Sequence, residues 1–130
     1  MIADDNHGIR AALLVAIRSI DPSYELYEAE DGQGAIEKAE AVKPDLVILD
    51  LRMKRLDGLT AGRTIKRLLT NTTMLVFTFA PTEHIEAAAR EAGFADVIDK
   101  TDSRRLIAAI RNALKPRTLA ATATDESTRV

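Results

Sequence analysis

The chain has 130 residues, enough for one ordinary domain with a single buried core and too few for two cores of useful size. Its 18 Lys and Arg against 20 Asp and Glu give a net charge of -2, which excludes binding to nucleic acid or an anionic membrane by bulk positive charge. Cysteine is absent, and no apolar run reaches the roughly 18 to 20 residues of a membrane span, so disulfides, cysteine nucleophiles and a membrane segment are excluded. With no signal-peptide pattern at the start, we expect a cytoplasmic protein.

The first half of the chain predicts two strands, each followed by a helix. The strands are predicted at 1–3 and 24–29. Apolar residues at helical spacing predict the helices at 9–20 and 35–42, with Asn6 as the N-cap candidate of the first helix.

The second half of the chain continues the same alternation. The continuous apolar run at 46–49 predicts a central strand that is covered on both faces. After an irregular loop, the remaining elements are predicted as helices at 59–69, 81–92 and 103–114 and as strands at 74–79 and 97–98, with Ser103 as the cap of the last helix. The residues after Pro116 are polar and have no sustained period, which predicts one domain at 1–115 and a flexible tail or linker at 116–130.

Five successive strand and helix units predict an α/β fold, an open doubly wound sheet of five parallel strands. Ligands of such sheets bind outside the carboxyl ends of the strands. Residues with useful chemistry lie at four of these ends. They are Asp4 and Asp5 after the first strand, Asp50 after the third, Thr78 at the end of the fourth and Lys100 after the fifth. We expect them to meet at one edge of the sheet.

The chemistry of this edge favours a metal and an anion. Three carboxylates at close range repel each other unless a divalent cation or an ammonium group neutralises them. Mg2+ prefers oxygen ligands and commonly joins one or two carboxylates to a phosphate. Each residue alone has a simpler explanation, because Asp often caps a turn or helix, Thr is common in strands and Lys is usually solvated. Only their combination favours a site, and His7 and His84 are expected to be surface residues outside it.

The combination of motifs resembles the receiver domains of bacterial two-component response regulators, over roughly Met1 to Leu114. The family's acidic pair, phosphoacceptor, loop glycine, hydroxyl residue and lysine correspond to Asp4-Asp5, Asp50 in LVILDLRM, Gly58 in LDGL, Thr78 and Lys100. The segments ADD, DLRM and DGL look most like LuxR/NarL-type receivers, which precede a helix-turn-helix output domain. The resemblance implies the CheY-like, flavodoxin-type strand order 2-1-3-4-5.

The resemblance also implies a phosphorylation switch. Asp50 would act as the nucleophile on a phosphohistidine of a sensor histidine kinase or histidine phosphotransfer protein, and Lys100 would pair with the phosphoryl oxygens. Thr78 would then move toward the phosphoryl group and shift the face made by the fourth helix, fifth strand and fifth helix. A partner or a second copy of the chain would read that face, and a homodimer is an expectation at the level of the family.

Magnesium is the cofactor that the resemblance implies. Asp5, Asp50 and the backbone carbonyl of Arg52 would hold Mg2+, and Asp4 would help through a water molecule. The domain itself is expected to bind neither nucleic acid nor membrane. The chain is either a stand-alone receiver or the receiver part of a longer DNA-binding regulator.

Several residues depart from the family's pattern. Lys54 replaces the usual proline of the phosphorylation loop, and Phe79 replaces the small residue expected after the hydroxyl position. Val97 occupies the position of the aromatic switch residue, so aromatic rotation is not expected there. Thr101 replaces a proline, as in LuxR-type receivers, and the first strand at 1–3 is short for a central strand.

Three alternatives belong to other functional classes. A receiver-like interaction module with atypical or no phosphorylation-dependent switching is kept open by Phe79 and Val97. A phosphatase of the haloacid dehalogenase type is disfavoured, because the second Asp that it needs two residues after the nucleophile is Arg52. A flavin or nucleotide carrier is disfavoured because no glycine-rich phosphate loop follows the first strand.

Overall fold

The computed structural model describes residues 1–114. The predicted tail or linker at 116–130 and the predicted domain end at 115 lie outside the described residues. None of the helices within 1–114 combines the length and the apolar composition that crossing a membrane requires.

Five parallel strands form one sheet in the order β2-β1-β3-β4-β5, which confirms the predicted fold class and strand order. The strands are β1 (Ile2–Ala3), β2 (Glu28–Ala29), β3 (Leu46–Leu49), β4 (Thr73–Thr78) and β5 (Asp96–Asp99). The chain reverses its direction of winding at β1, which pairs with β2 on one side and with β3 on the other. The carboxyl ends of β1 and β3 therefore border the crevice in which ligands of doubly wound sheets bind.

Helices cover both faces of the sheet. They are α1 (His7–Ile20), α2 (Gly32–Val42), α3 (Gly58–Leu68), α4 (Glu83–Ala92) and α5 (Ser103–Ala113). The strand side chains alternate between two apolar clusters, so Val47 and Leu49 pack with α2, α3 and α4, whereas Leu46 and Ile48 pack with α1 and α5. This burial on both faces explains why β3 is a continuous apolar run.

Four of the five predicted strands have different bounds in the structure, and the differences at β2 and β4 are described here. The strand expected at 24–29 forms ladder pairs only at Glu28 and Ala29, because its neighbour β1 begins at Ile2. The strand expected at 74–79 ends at Thr78, whose carbonyl accepts the Lys100 N–H at 2.9 Å. Phe79 therefore lies beyond the sheet.

Two N-caps were predicted from the sequence, and the structure confirms the one at α1 but not the one at α5. Asn6 caps α1, and its side-chain oxygen accepts the Ile9 N–H at 3.0 Å, as predicted. The prediction that Ser103 caps α5 is wrong. Asp102 is the cap, because its carboxylate accepts the Arg105 N–H at 3.2 Å, and Ser103 is the first residue of the helix.

The contact between α3 and the turn after α4 depends on a glycine. A Cβ atom on Gly62 would overlap the ring of Phe94, which is buried. We expect Gly62→Ala to destabilise the fold by about 1 to 3 kcal/mol because the ring has no room to yield in a packed core. Urea denaturation measures this change.

The matched control is Gly8→Ala, because Gly8 lies at the exposed start of α1. It should change the free energy of unfolding by less than about 1 kcal/mol. Adding Phe94→Leu to Gly62→Ala should recover part of the loss. Equal effects of the two alanine substitutions would contradict the close packing of α3 on Phe94.

Candidate functional site

Asp50 lies at the centre of the carboxyl edge of the sheet. It directly follows β3, its N–H donates to the Ala3 carbonyl at 2.9 Å, and the residue is 6% exposed. Its Oδ1 accepts the Thr78 hydroxyl at 3.0 Å and the Arg52 N–H at 3.3 Å. Its Oδ2 accepts the Lys100 ammonium at 2.8 Å. Both carboxylate oxygens are thus held by donors from other strand ends.

Lys100 bridges two buried carboxylates. Its Nζ lies 2.7 Å from Asp4 Oδ2 and 2.8 Å from Asp50 Oδ2, and its side chain is only 5% exposed. Burial by itself lowers the pKa of Lys100, but the hydrogen bonds and charges of Asp4 and Asp50 outweigh it and raise the pKa above its ordinary value. The lysine is therefore a fixed positive charge between β1 and β3.

The acidic residues form a cluster that fits a divalent cation. One carboxylate oxygen from each of Asp4, Asp5 and Asp50 lies within 4.8 Å of the others. Asp4 and Asp50 are buried, whereas Asp5 is exposed, so the cluster has a buried side and an open side. This all-oxygen donor set, with water able to reach its open side, suits Mg2+.

The loop after Asp50 is held against the sheet edge by Gly58. The Gly58 N–H donates to the Leu51 carbonyl at 3.0 Å, and a Cβ on Gly58 would overlap the Asp50 carbonyl oxygen. The start of α3 can approach the backbone of Asp50 this closely only because Gly58 has no side chain.

An arginine that the sequence analysis did not single out supports the acidic pair. Arg10 on α1 donates from Nη1 to the Asp4 carbonyl at 2.6 Å and from Nε to Glu28 at 3.1 Å. Its side chain is only 11% exposed. No sequence motif identifies this contact, because it depends on how α1 packs beside β2.

A second arginine, also missed, anchors the loop between β3 and α3. Arg55 donates to both carboxylate oxygens of Asp31 at 2.8 and 3.0 Å, and Asp31 also caps α2. The hydrogen bonds from Arg55 and from the Gly34 N–H lower the pKa of Asp31 below its ordinary range. Arg55 has a φ of 65°, so this residue turns the loop through the left-handed region.

The remaining residues singled out in the sequence lie around or outside the cluster. His7 and His84 are exposed, as predicted, and neither belongs to the acidic group. Val97 is buried among the side chains that face α3 and α4. Lys54 is exposed on the loop, and Phe79 is 54% exposed with its ring centroid 5.2 Å from the Lys100 Nζ.

A sequence model of the response regulator receiver domain matches residues 1–111. This chain belongs to the response regulator receiver domain family. The transcriptional regulatory protein PdtaR of Mycobacterium tuberculosis H37Rv is 35% identical over 115 residues, which are 88% of this chain and 55% of that protein. The cyclic di-GMP phosphodiesterase response regulator RpfG of Xanthomonas campestris is 34% identical over 102 residues, which are 77% of this chain and 27% of that protein. The chain thus spans about half or less of these relatives.

Solved receiver structures resemble this receiver domain over most of its length. The signal receiver domain of NarL from Mycobacterium tuberculosis has a TM-score of 0.73 and 27% identity, with 88% of this chain and 94% of that chain covered. A LuxR-family two-component response regulator from Aurantimonas sp. SI85-9A1 has a TM-score of 0.80 and 25% identity, with 98% and 96% covered. The resemblance to LuxR/NarL-type receivers is confirmed.

We expect Lys100→Met to destabilise the receiver domain by about 3 kcal/mol at neutral pH without divalent cations. The substitution leaves the buried carboxylates of Asp4 and Asp50 without their shared counterion. Urea denaturation measures the loss.

Lys54→Met is the control, because it removes an exposed positive charge and should change stability little. Adding Asp50→Asn to Lys100→Met should restore much of the lost stability, since one of the two repelling charges is removed. Equal stability of Lys100→Met and wild type would contradict the bridging role of the lysine.

The Asp31 and Arg55 pair predicts a defined dependence of stability on pH. The folded pKa of Asp31 lies below its ordinary value of 3.8, so its charge stabilises the fold above that pH and the contribution disappears as pH falls through the folded pKa. Asp31→Asn keeps a helix cap but removes the charge. The difference in unfolding free energy between wild type and Asp31→Asn should be constant from about pH 5 to 7 and shrink toward about pH 2. Glu40→Gln is the control, because Glu40 is exposed on α2. The difference in unfolding free energy between wild type and this variant should not shrink in this way at low pH.

Proposed function

We propose that this receiver domain accepts a phosphoryl group on Asp50 from a sensor histidine kinase or a histidine phosphotransfer protein. The observation that carries the proposal is the contact of one buried carboxylate with a hydroxyl group and an ammonium group, beside an acidic pair. Thr78 holds one oxygen of Asp50 and Lys100 holds the other. This arrangement supplies a nucleophile and two donors for an anionic group in one place.

The proposed transfer is a displacement at phosphorus. A carboxylate oxygen of Asp50 attacks the phosphorus of the donor phosphohistidine, the new O–P bond forms and the N–P bond breaks. The imidazole nitrogen leaves with the electron pair of the broken bond and is then protonated. Lys100 is placed to pair with the phosphoryl oxygens as negative charge collects on them, and the Thr78 hydroxyl is placed to donate to one of them.

The metal would be held by Asp5, Asp50 and the backbone carbonyl of Arg52, with Asp4 acting through water. When bound, Mg2+ supplies positive charge that offsets both the carboxylates and the phosphoryl oxygens. The acidic cluster of three carboxylates supports this assignment. Asp4 also has a second role, because it shares the ammonium of Lys100 with Asp50.

The signal would be the change of charge at Asp50. Phosphorylation adds about -1.5 to -2 charges and new acceptor oxygens. Thr78 and Lys100 would exchange their bonds to the carboxylate for bonds to the phosphoryl group. Because Thr78 ends β4 and pairs with β5, its shift reaches the face formed by α4, β5 and α5. That face would then contact a partner protein or a second copy of the chain.

The receiver domain is proposed to be a cytoplasmic signalling domain rather than a turnover enzyme. A phosphatase that uses two acids would need a carboxylate at position 52, where the exposed Arg52 contributes only its backbone N–H to Asp50. No contact with nucleic acid is proposed for this domain. In a longer protein, a DNA-binding output domain would supply that contact.

The test is intact-mass spectrometry after incubation with acetyl phosphate and Mg2+. We expect one phosphoryl increment that requires the metal and is absent in Asp50→Asn. The matched control Asp99→Asn changes another carboxylate at the sheet edge and should still gain the increment. Folded protein that a cognate kinase also leaves unmodified would overturn the proposal and favour a constitutive interaction module.

A further inference from the structure

The aromatic ring of Phe79 covers the ammonium group of Lys100. Its centroid lies 5.2 Å from Nζ, within the range of a cation–π contact. Phe79 is 54% exposed, yet the lysine side chain beneath it is only 5% exposed. An apolar ring that lies half in solvent thus helps to keep water away from the charged group at the centre of the site.

The backbone after Phe79 is held in a conformation that L-residues rarely adopt. Ala80 has a φ of 49°, a strained value for a residue with a Cβ that persists only where its surroundings fix it. Beside this turn, the carboxylate of Asp99 accepts the N–H and the hydroxyl of Thr101, both at 2.9 Å.

The turn that carries Phe79 begins directly after the last pair of the β4 and β5 ladder. Thr78 pairs in register with Asp99 at that position, and the Thr78 carbonyl accepts the Lys100 N–H at 2.9 Å. The next residue, Phe79, places its ring over the Lys100 ammonium. Within residues 1–114, the other large exposed apolar residues, Val15 and Leu68, lie on α1 and α3.

We propose that Phe79 is a lid that shields the phosphoryl group on Asp50 from hydrolysis. The inference rests on the proposed phosphorylation of Asp50. In the hydrolysis that the lid slows, a water oxygen attacks phosphorus and the bond between phosphorus and the Asp50 oxygen breaks. The carboxylate is regenerated, and inorganic phosphate leaves with both protons of the water or releases one of them to solvent. A lid that excludes water also strengthens the pairing of Lys100 with the phosphoryl oxygens.

The first measurement is the lifetime of the phosphorylated protein. Each variant is loaded with acetyl phosphate and Mg2+, desalted into Mg2+ buffer and followed by intact-mass spectrometry. Phe79→Ala should lose its phosphoryl group about tenfold faster than wild type, the size that loss of one desolvated cation–π contact predicts. Phe79→Tyr keeps the ring and should keep the wild-type lifetime. Val15→Ala shortens an apolar side chain on α1 that is more exposed than Phe79, and it should leave the lifetime unchanged.

The second measurement does not depend on phosphorylation. Acetylation of Lys100 by a water-soluble acylating reagent is followed by peptide mass spectrometry on the folded, unphosphorylated protein. Phe79→Ala should raise the acetylation rate of Lys100 relative to that of Lys54. Phe79→Tyr keeps the ring and should leave the rate near that of wild type.

The two measurements distinguish failure of the lid proposal from failure of the proposed phosphorylation. Faster acetylation with an unchanged phosphoryl lifetime would overturn the shielding role of Phe79 while leaving phosphorylation intact. Unchanged acetylation and lifetime in Phe79→Ala would overturn the lid itself. A protein that gains no phosphoryl group at all would overturn the proposed function, and with it the proposed protection of the phosphoryl group.

Discussion

The ammonium group of Lys100 is the point on which the arrangement of the site depends. Asp4 and Asp50 leave neighbouring strands side by side in a buried position, and two such carboxylates repel each other strongly where water is scarce. Lys100 follows the edge strand β5, and its ammonium group contacts both carboxylates. Its two short contacts also require β1, β3 and β5 to end at matching heights. The charge balance of the site therefore depends on the register of the strands.

Around this centre, loops are tied down by polar contacts that lie farther from the carboxylates. Arg10 holds the backbone of Asp4 from α1, and Arg55 holds the loop after β3 onto the cap of α2. Gly58 and Gly32 permit the backbones of that loop to pass close by, since a Cβ on either glycine would overlap a carbonyl oxygen. These contacts fix the backbone around the acidic cluster, whereas Asp5 is exposed to solvent.

The side of the site toward β4 and β5 differs in character. Thr78 links Asp50 to the end of β4, and the turn that follows places Phe79 between Lys100 and solvent. Val97 is packed into the core next to this edge, so a rotating aromatic side chain is not available there. Under the proposed function, a conformational change that starts at Asp50 would reach β5 through the backbone of Thr78 and the turn that carries Phe79. Phe79, Val97 and Thr101, which depart from the family's pattern, thus lie on this side of the site, whereas Lys54 lies on the loop after β3.

The sequence by itself determined the order of the elements, the parallel sheet and the positions of Asp4, Asp5, Asp50, Thr78 and Lys100 at strand ends. Alternating apolar runs and helical periods are local signals, and parallel strands bring their carboxyl ends to one edge whatever the loops do. The Asp102 cap is a local bond, which the sequence analysis assigned to the neighbouring Ser103. The short β2, the two arginine contacts and the ring of Phe79 over Lys100 were decided by the tertiary structure. Each depends on which distant residue lies opposite, and that is set by strand register, helix packing and the left-handed turns at Arg55 and Ala80, none of which leaves a periodic trace in the sequence.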